Sequence, residues 1–473
     1  MTPLRSVLLC LLPVSGTSLA IACSASDPRI TYEPEDAGPD VLFDASVPDE
    51  GGTTGDARSH KPPFDPADEP VSCTNAPCAV DLVAGENHFC ARMNDGTVRC
   101  WGDDTKGSLG RGEASSSPDA GADGGWLVSR VAELQGVLQL SAGGTTTCAV
   151  VTDGSVRCWG GNDRGQLGLD TNDPVIDTDR HPTPSPVALP GAAKRVDVGP
   201  ASACALLANG ELWCWGESSH GQLARPPSTA GGVPAKAAAG ELGIVAIAVG
   251  SYTGLALTQS GDVLSWGAMH DPEGSLAGRA SSLVIDPRPF AIGLGAVDRL
   301  EAGPTTKIHP PAPPRWLPRG IGHACAIVAG DLFCWGDSLK GALGMGIPEL
   351  VAEPRRTELE STTAWAQQIA IGGDLTCVRL TDGSVECAGD NSFGALGRDP
   401  AHPYATYFGR AVGFDEHAVK VAAATHTVCA LVRDGSVHCW GSNGRGELGQ
   451  GTIDADPHAS PVRVRLQGSR GRR

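Results

Sequence analysis

The chain repeats one motif seven times. A repeated unit of this size cannot bury its apolar face alone, so the repeat constrains the fold more than any other feature. The first four units read CARMNDGTVRCWG from Cys90, CAVVTDGSVRCWG from Cys148, CALLANGELWCWG from Cys204 and LALTQSGDVLSWG from Leu255. The last three read CAIVAGDLFCWG from Cys325, CVRLTDGSVECAG from Cys377 and CALVRDGSVHCWG from Cys429. A second signature, G-x-L-G, follows at Gly107–Gly110, Gly165–Gly168, Gly341–Gly344, Gly394–Gly397 and Gly446–Gly449, with weaker forms GQLA and GSLA from Gly221 and Gly274. The Trp that ends the first signature stands at 101, 159, 215, 266, 335 and 440, and Ala388 takes its place in the sixth unit. The separations are 58, 56, 51, 69, 53 and 52 residues. Two strands flank each Asp-Gly turn, and a period above fifty leaves room for four strands per unit. These features predict an all-β, seven-bladed β-propeller of about 50–60-residue repeats. Alternating β-branched runs and the absence of long helical spacing argue against an α-solenoid.

Composition agrees. A chain of 473 residues could hold two or three ordinary domains, unless repeats extend a single one. Gly 63 and Pro 36 suit many short strands joined by tight turns. A formal net charge of −18 argues against wrapping nucleic acid, which requires basic surface. It argues equally against docking on anionic lipid.

The pattern C-A-x-x-x-D-G-x-V-x-C-W-G followed by G-x-L-G resembles the regulator of chromosome condensation repeat, in a bacterial, cysteine-bearing form. The resemblance covers about residues 71–465 and recurs seven times. It implies a seven-bladed propeller without fixing a function, because one fold hosts many partners. Relatives of this kind include a nucleotide exchange factor for a nuclear small GTPase, a role at odds with an exported, cysteine-rich chain. A resembling bacterial inhibitor of β-lactamases makes an inhibitory role conceivable.

Of 16 cysteines, twelve fall in six pairs. Cys90 pairs with Cys100, Cys148 with Cys158, Cys204 with Cys214, Cys325 with Cys334, Cys377 with Cys387 and Cys429 with Cys439. A three-residue loop such as Asn94-Asp95-Gly96 puts the two members of a pair opposite each other. In the fifth unit the loop shortens to Ala329-Gly330 and the cysteine spacing shortens by the same one residue. In the fourth unit Leu255 and Ser265 replace both members together. Disulfides across each hairpin follow, worth up to roughly 3 kcal/mol per bond in the chain-entropy estimate; buried free thiols are the alternative. Cys73 and Cys78 form a seventh pair at the domain entrance, a local staple. Metal binding is not expected, because short C-x₂₋₄-C ligand spacing is missing, and no cofactor is implied.

The N-terminus reads as an export signal. Arg5 precedes the apolar run Val7–Leu12, and Leu19-Ala20-Ile21-Ala22 leads to Cys23. This resembles a bacterial lipoprotein signal, which implies lipidation of Cys23, although Leu19 sits one residue further from the cysteine than usual. Ordinary signal-peptidase cleavage is the alternative. The expected organisation is a signal peptide over 1–22, a disordered acidic Pro/Gly-rich linker over 23–70, the propeller over 71–466 and a basic tail over 467–473. The protein is then exported, either as an outer-membrane or cell-surface lipoprotein or secreted, and meets the membrane only through its anchor. The final segment Pro461–Leu466 is expected to close the ring by pairing with strands of the first unit.

Catalytic apparatus is not apparent. A sialidase-like enzyme needs a tyrosine nucleophile and clustered arginines, and the four tyrosines are Tyr32, Tyr252, Tyr404 and Tyr407. Tyr252, in GSYTG, reads as a packing residue. His88 and His323 share a position two residues before a paired cysteine, which points to structure. The turn residues Asp95, Asp153, Asp382 and Asp434 satisfy turn backbone. The acidic stretch Asp170–Asp179 could hold calcium but lacks the EF-hand pattern and reads as a solvated loop. The insertion Glu113–Trp126 reads as spacer. The candidate binding residues are Lys307, His309, Arg315, Trp316 and Arg319, in a Pro-rich insertion between Gly303 and Ile321. Trp and Arg lead the residue types of interface hot spots, though a variable surface insertion without a partner is the plainer reading. The functional expectation is a monomeric, non-enzymatic scaffold that binds a protein or glycan and no nucleic acid. A carbohydrate-active propeller enzyme (sialidase-like or lyase) and a structural envelope component are the alternatives.

Overall fold

Each Asp-Gly turn folds the chain back for a reason visible in its atoms. In the computed structural model, which describes residues 61–112, 127–169, 176–228, 231–239, 242–269, 277–303 and 322–466, Gly96 has φ +75°. Residues with a Cβ avoid that conformation. The Asp95 carboxylate accepts hydrogen bonds from the Thr97 amide at 3.0 Å and its hydroxyl at 2.6 Å, while the Gly96 amide donates to the Met93 carbonyl. In the shorter fifth turn both central residues are left-handed, Ala329 at φ +50° and Gly330 at φ +85°, as a two-residue type I′ turn requires.

Four strands in simple succession make each blade. Blade 1 holds β1 (Ala79–Ala84), β2 (His88–Met93), β3 (Val98–Gly102) and β4 (Ser129–Arg130). Blade 2 holds β5 (Val137–Gly143), β6 (Thr146–Val151), β7 (Val156–Gly160) and β8 (His181–Pro186). Blade 3 holds β9 (Ala193–Val198), β10 (Ser202–Leu207), β11 (Leu212–Gly216) and β12 (Ala235–Lys236). Blade 4 holds β13 (Ile244–Val249), β14 (Thr253–Thr258), β15 (Val263–Ala268) and β16 (Ile285–Ile292). Blade 5 holds β17 (Arg299–Ala302), β18 (His323–Val328), β19 (Asp331–Gly336) and β20 (Val351–Thr357). Blade 6 holds β21 (Ala366–Ile371), β22 (Leu375–Leu380), β23 (Val385–Asp390) and β24 (Tyr404–Arg410). Blade 7 holds β25 (Ala418–Ala423), β26 (Thr427–Val432), β27 (Val437–Gly441) and β28 (His458–Arg463). All pairings are antiparallel, the first strand of each blade faces the axis, and the described residues contain no α-helix.

The repeated hairpin is the middle pair of each blade. Cys90 lies directly opposite Cys100 across β2 and β3. The same register sets Cys148 opposite Cys158, Cys204 opposite Cys214 and Cys325 opposite Cys334. It likewise sets Cys377 opposite Cys387 and Cys429 opposite Cys439. All six pairs are disulfide-bonded with Cα atoms 4.0–4.1 Å apart. Cys73 is bonded to Cys78 as the seventh. The hairpin separation belongs to the closer of the two pair types in an antiparallel ladder. In blade 4, Leu255 faces Ser265 in the same register, and Arg279 donates to the Ser265 hydroxyl at 2.9 Å.

The core lies between blades. Each motif Trp is buried and reaches back to the preceding blade's G-x-L-G segment. The indole N–H of Trp159 donates to the Ser108 carbonyl, Trp215 to Gln166, Trp266 to Gln222 and Trp440 to Ala395, at 2.8–2.9 Å. The motif's last glycine, left-handed at Gly110, lies so near the next indole that a Cβ there would sit 3.0 Å from Trp159 Nε1. In the fourth unit that role falls to Gly278, one residue beyond Ala277, so the GSLA alignment read from Gly274 shifts by one. In GQLA the register holds, and Ala224 itself adopts φ +51°. Blade 6 lacks the Trp, and the Phe408 ring of β24 packs against Gly344 instead.

Two expectations are corrected. The final segment does not pair with blade 1: β28 pairs with β27 of its own blade. The ring closes instead through loop backbone bonds, Ala79 N–H to the Gly435 carbonyl at 3.1 Å and Thr425 N–H to the Glu86 carbonyl at 2.9 Å, and through side chains. Trp101 donates to the Glu447 carbonyl at 2.9 Å, and Val464 and Leu466 pack with Phe89 and Trp101 in one core cluster. The linker does not extend to residue 70, because residues 61–70 lie against blades 5–7 on the face that carries the Asp-Gly turns.

Candidate interaction surface

The opposite face carries the loops that link the first two strands and the last two strands of each blade. The first of these loops is a tight turn in six blades. Gly85 donates to the His88 carbonyl, Gly199 to Ser202, Gly250 to Thr253, Gly372 to Leu375 and Ala424 to Thr427, each three residues on; Gly143 pairs with Thr146 in the blade 2 ladder. In blade 5 the same bond survives across the insertion, from the Gly303 amide to the His323 carbonyl at 2.9 Å. The insertion therefore springs from the axial rim, on a scaffold held in the same geometry as its six neighbours. Lys307, His309, Arg315, Trp316 and Arg319 lie outside the described residues, as does Cys23.

Ion pairs between neighbouring blades brace this rim. Arg445 bonds Asp103 at 2.6 Å, Arg164 reaches Glu217 at 3.5 Å and Lys340 bonds Asp390 at 2.7 Å. In each, the base immediately precedes G-x-L-G and the acid immediately follows Trp-Gly or Ala-Gly in the next blade. Lys106 occupies the same base position, but Gly161 stands where its acid would be, and it donates to the Thr178 carbonyl instead. The pairing has a signal in the sequence, but one that joins two different motifs of successive repeats and is invisible within a single hairpin. Between blades 2 and 3 the rim opens into a cleft of about 450 Å³ that includes Arg164, Glu217, Ser218 and Pro227.

At the loop-bearing end of the axis a cavity of about 70 Å³ is lined by Ala84, Ala142, Val198, Val249, Ile371 and Ala423 with their flanking glycines, and by Glu86, Glu301 and Thr425. Ligand pockets usually begin near roughly 300 Å³. Arg195 and Asp197 form a two-bonded pair at 2.6 Å, and Lys420 pairs with Asp81. Glu301 opens onto the lumen yet is enclosed by the ring, and this enclosure, with Asp197 nearby, pushes its carboxyl up to about 7.

The other singled-out residues are structural. His88 Nε2 bonds Thr147 Oγ1 at 2.8 Å and His323 Nε2 bonds Thr376 Oγ1 at 2.6 Å, each joining its blade to the next. Burial holds both rings down at about 4. Tyr252 packs on His220, whereas Tyr404 and Tyr407 are exposed on β24. Asp177 of the acidic stretch bonds Asn162, His181 and the Asp179 amide, while residues 170–175 and 113–126 lie outside the described set. Among the described residues no group of three His, Cys, Asp or Glu side chains could hold a metal, and no helix is long and apolar enough to cross a membrane.

The molecule is thus a closed seven-bladed propeller with a loop-bearing rim. The chain belongs to the RCC1-like domain family, whose profile matches residues 126–472, and the regulator of chromosome condensation (RCC1) repeat matches residues 79–108. It is 27% identical over 381 residues to the ultraviolet-B receptor UVR8 of Arabidopsis thaliana, covering 78% of each chain. It is 27% identical over 281 residues to the E3 ubiquitin-protein ligase HERC2 of Homo sapiens, spanning 58% of this chain but 5% of that protein. Among solved structures, Prp20p of Saccharomyces cerevisiae, described together with its binding to Gsp1p and histones, is similar with a TM-score of 0.60 and 20% identity, covering 84% of this chain and 87% of that one.

Proposed function

We infer that this chain is an exported protein-interaction scaffold without catalytic activity, and that it recognises its partner through the loop-bearing rim. The observation that carries this reading is the blade 5 insertion: it replaces a tight turn at the axial rim while the bond that closes the turn is kept. Loops carried on a rigid ring are the usual place for binding. The insertion's Lys307, His309, Arg315, Trp316 and Arg319 are the contact residues of this proposal, and they set a basic, aromatic loop on an acidic protein. The binding of Gsp1p and histones by Prp20p supports a protein partner over a glycan. The cavity at the axial mouth, about 70 Å³, is below the size of an ordinary ligand pocket, which supports recognition on the surface of the rim.

The cysteine pairs fit an oxidising compartment, and the signal-like N-terminus fits export, with Cys23 as the lipid-anchored residue of a monomer at the cell surface. The test is affinity capture from the native envelope with the full chain and with a variant lacking residues 304–320. The full chain is expected to retain a protein that the variant loses; equal retention by both would discard the rim insertion as the binding element.

A further inference from the structure

The N-terminal segment lies in a groove that is charged, aromatic and rich in donors. Lys61 sits over the Trp365 ring at 4.3 Å, and the Trp365 indole donates to the Pro62 carbonyl at 2.6 Å. Phe64 packs beside Gly330 and Trp365. Gln367, buried, donates from its amide nitrogen to the carbonyls of Asp65 at 2.8 Å and Ala67 at 2.6 Å. Arg299 donates to the Pro66 carbonyl at 2.7 Å and to Asp68 Oδ1 at 2.8 Å. Glu69 then meets Arg379 at 3.3 Å, His417 at 2.9 Å and the Arg433 guanidinium.

These contacts are those of peptide recognition. The groove takes the backbone carbonyls of an extended, Pro-containing segment, an aromatic anchor at Phe64 and two successive carboxylates, as Pro-rich ligands dock in aromatic grooves. A second observation points the same way. Arg379 is fully buried, yet only its Nη1 is engaged by Glu69 and the Leu380 carbonyl; Nε and Nη2 have no hydrogen-bond partner. A buried guanidinium with two idle donors can hold a second carboxylate oxygen in the two-bonded manner Arg prefers. Burial alone would raise the Glu69 carboxyl, but the bonds from Arg433 and His417 outweigh it and hold the group below its ordinary value.

We propose that the turn face of blades 5–7 is a docking groove for an acidic, Pro-containing extended peptide with an aromatic anchor, and that residues 61–69 occupy it in cis as a displaceable strap. The inference rests on the protein-interaction reading for its partner, but it concerns a different face. Capture through the rim can therefore succeed while the groove fails, and the reverse.

The test uses the full chain and a fluorescein-labelled peptide KPPFDPADEP, the sequence of residues 61–70, read by anisotropy. The double variant Phe64→Ala with Glu69→Gln loosens the strap and is expected to bind the peptide about tenfold more tightly than the unaltered chain. Adding Arg299→Glu and Arg433→Glu, both at half-exposed or exposed positions, is expected to abolish the gain. Equal affinity in the loosened and unaltered chains, or equal binding of a scrambled peptide, overturns the proposal. Should the loosened variant fail to melt cooperatively, hydrogen exchange on the unaltered chain decides. Excess unlabelled peptide is expected to speed exchange of the amides between Phe64 and Glu69, and unchanged exchange overturns the proposal.

Discussion

His88 and His323 show how one repeated position can carry a structural load with a pH signature. Each ring is buried against the next blade's threonine, and burial holds it at about 4 against an ordinary 6.5. The unfolded chain therefore binds protons first as pH falls, and the stability these rings contribute is present above 6.5 and lost on acidification toward 4. The loss is about 3 kcal/mol for each ring. Glu301 acts with the opposite sign: its raised value favours the folded state below pH 4.5, and that advantage is lost as pH rises through about 7. Thermal melts between pH 4 and 7 are the check. The double variant His88→Gln with His323→Gln is expected to flatten the acid decline, and Glu301→Gln to steepen it. Parallel curves for all three proteins would remove the assignment.

At the scale of the element, the hairpin is a module whose internal logic is local, and that is why it was legible. Turn length and cysteine spacing lie within a dozen residues of each other, so the shortened Ala329-Gly330 turn and the Cys325–Cys334 spacing could be checked against one another in the sequence alone. The partners between blades were not legible by that route. Trp101 meets Glu447 across 346 positions, and Phe408 fills the space left by Ala388 from a strand that carries no repeat signature. The strap was hidden for a related reason: its Asp, Glu and Pro composition reads as a linker, and only the basic groove beneath it gives those residues something to hold. Blade 4 supplies a natural control for the disulfides. Transplanting its pair into blade 3, as Cys204→Leu with Cys214→Ser, is expected to leave the ring folded and to cost no more than about 3 kcal/mol in denaturant unfolding. A chain that no longer folds would mean that the cross-link is required for the hairpin and not an addition to it.

The whole molecule is a ring closed without a shared strand, by side chains and by loop backbone bonds such as Thr425 N–H to the Glu86 carbonyl. The seam between blades 7 and 1 repeats the indole-to-carbonyl bond and the rim ion pair found at interior interfaces, through Trp101–Glu447 and Arg445–Asp103. A closed ring needs no shared strand when its seam is built like its other interfaces. Its loops are divided between a rim, which carries the insertions of blades 1 and 5, and a turn face under an acidic strap. The seven lysines report on that division, because Lys106 and Lys340 stand on the rim, Lys307 lies in the insertion and Lys61 lies in the strap. Amine-reactive cross-linking of the full chain in its native cells, read by mass spectrometry, tests the interaction account most directly. Peptides of a protein partner are expected on Lys106, Lys307 and Lys340. An outcome in which none of these three carries a partner peptide, whatever attaches elsewhere, would contradict it.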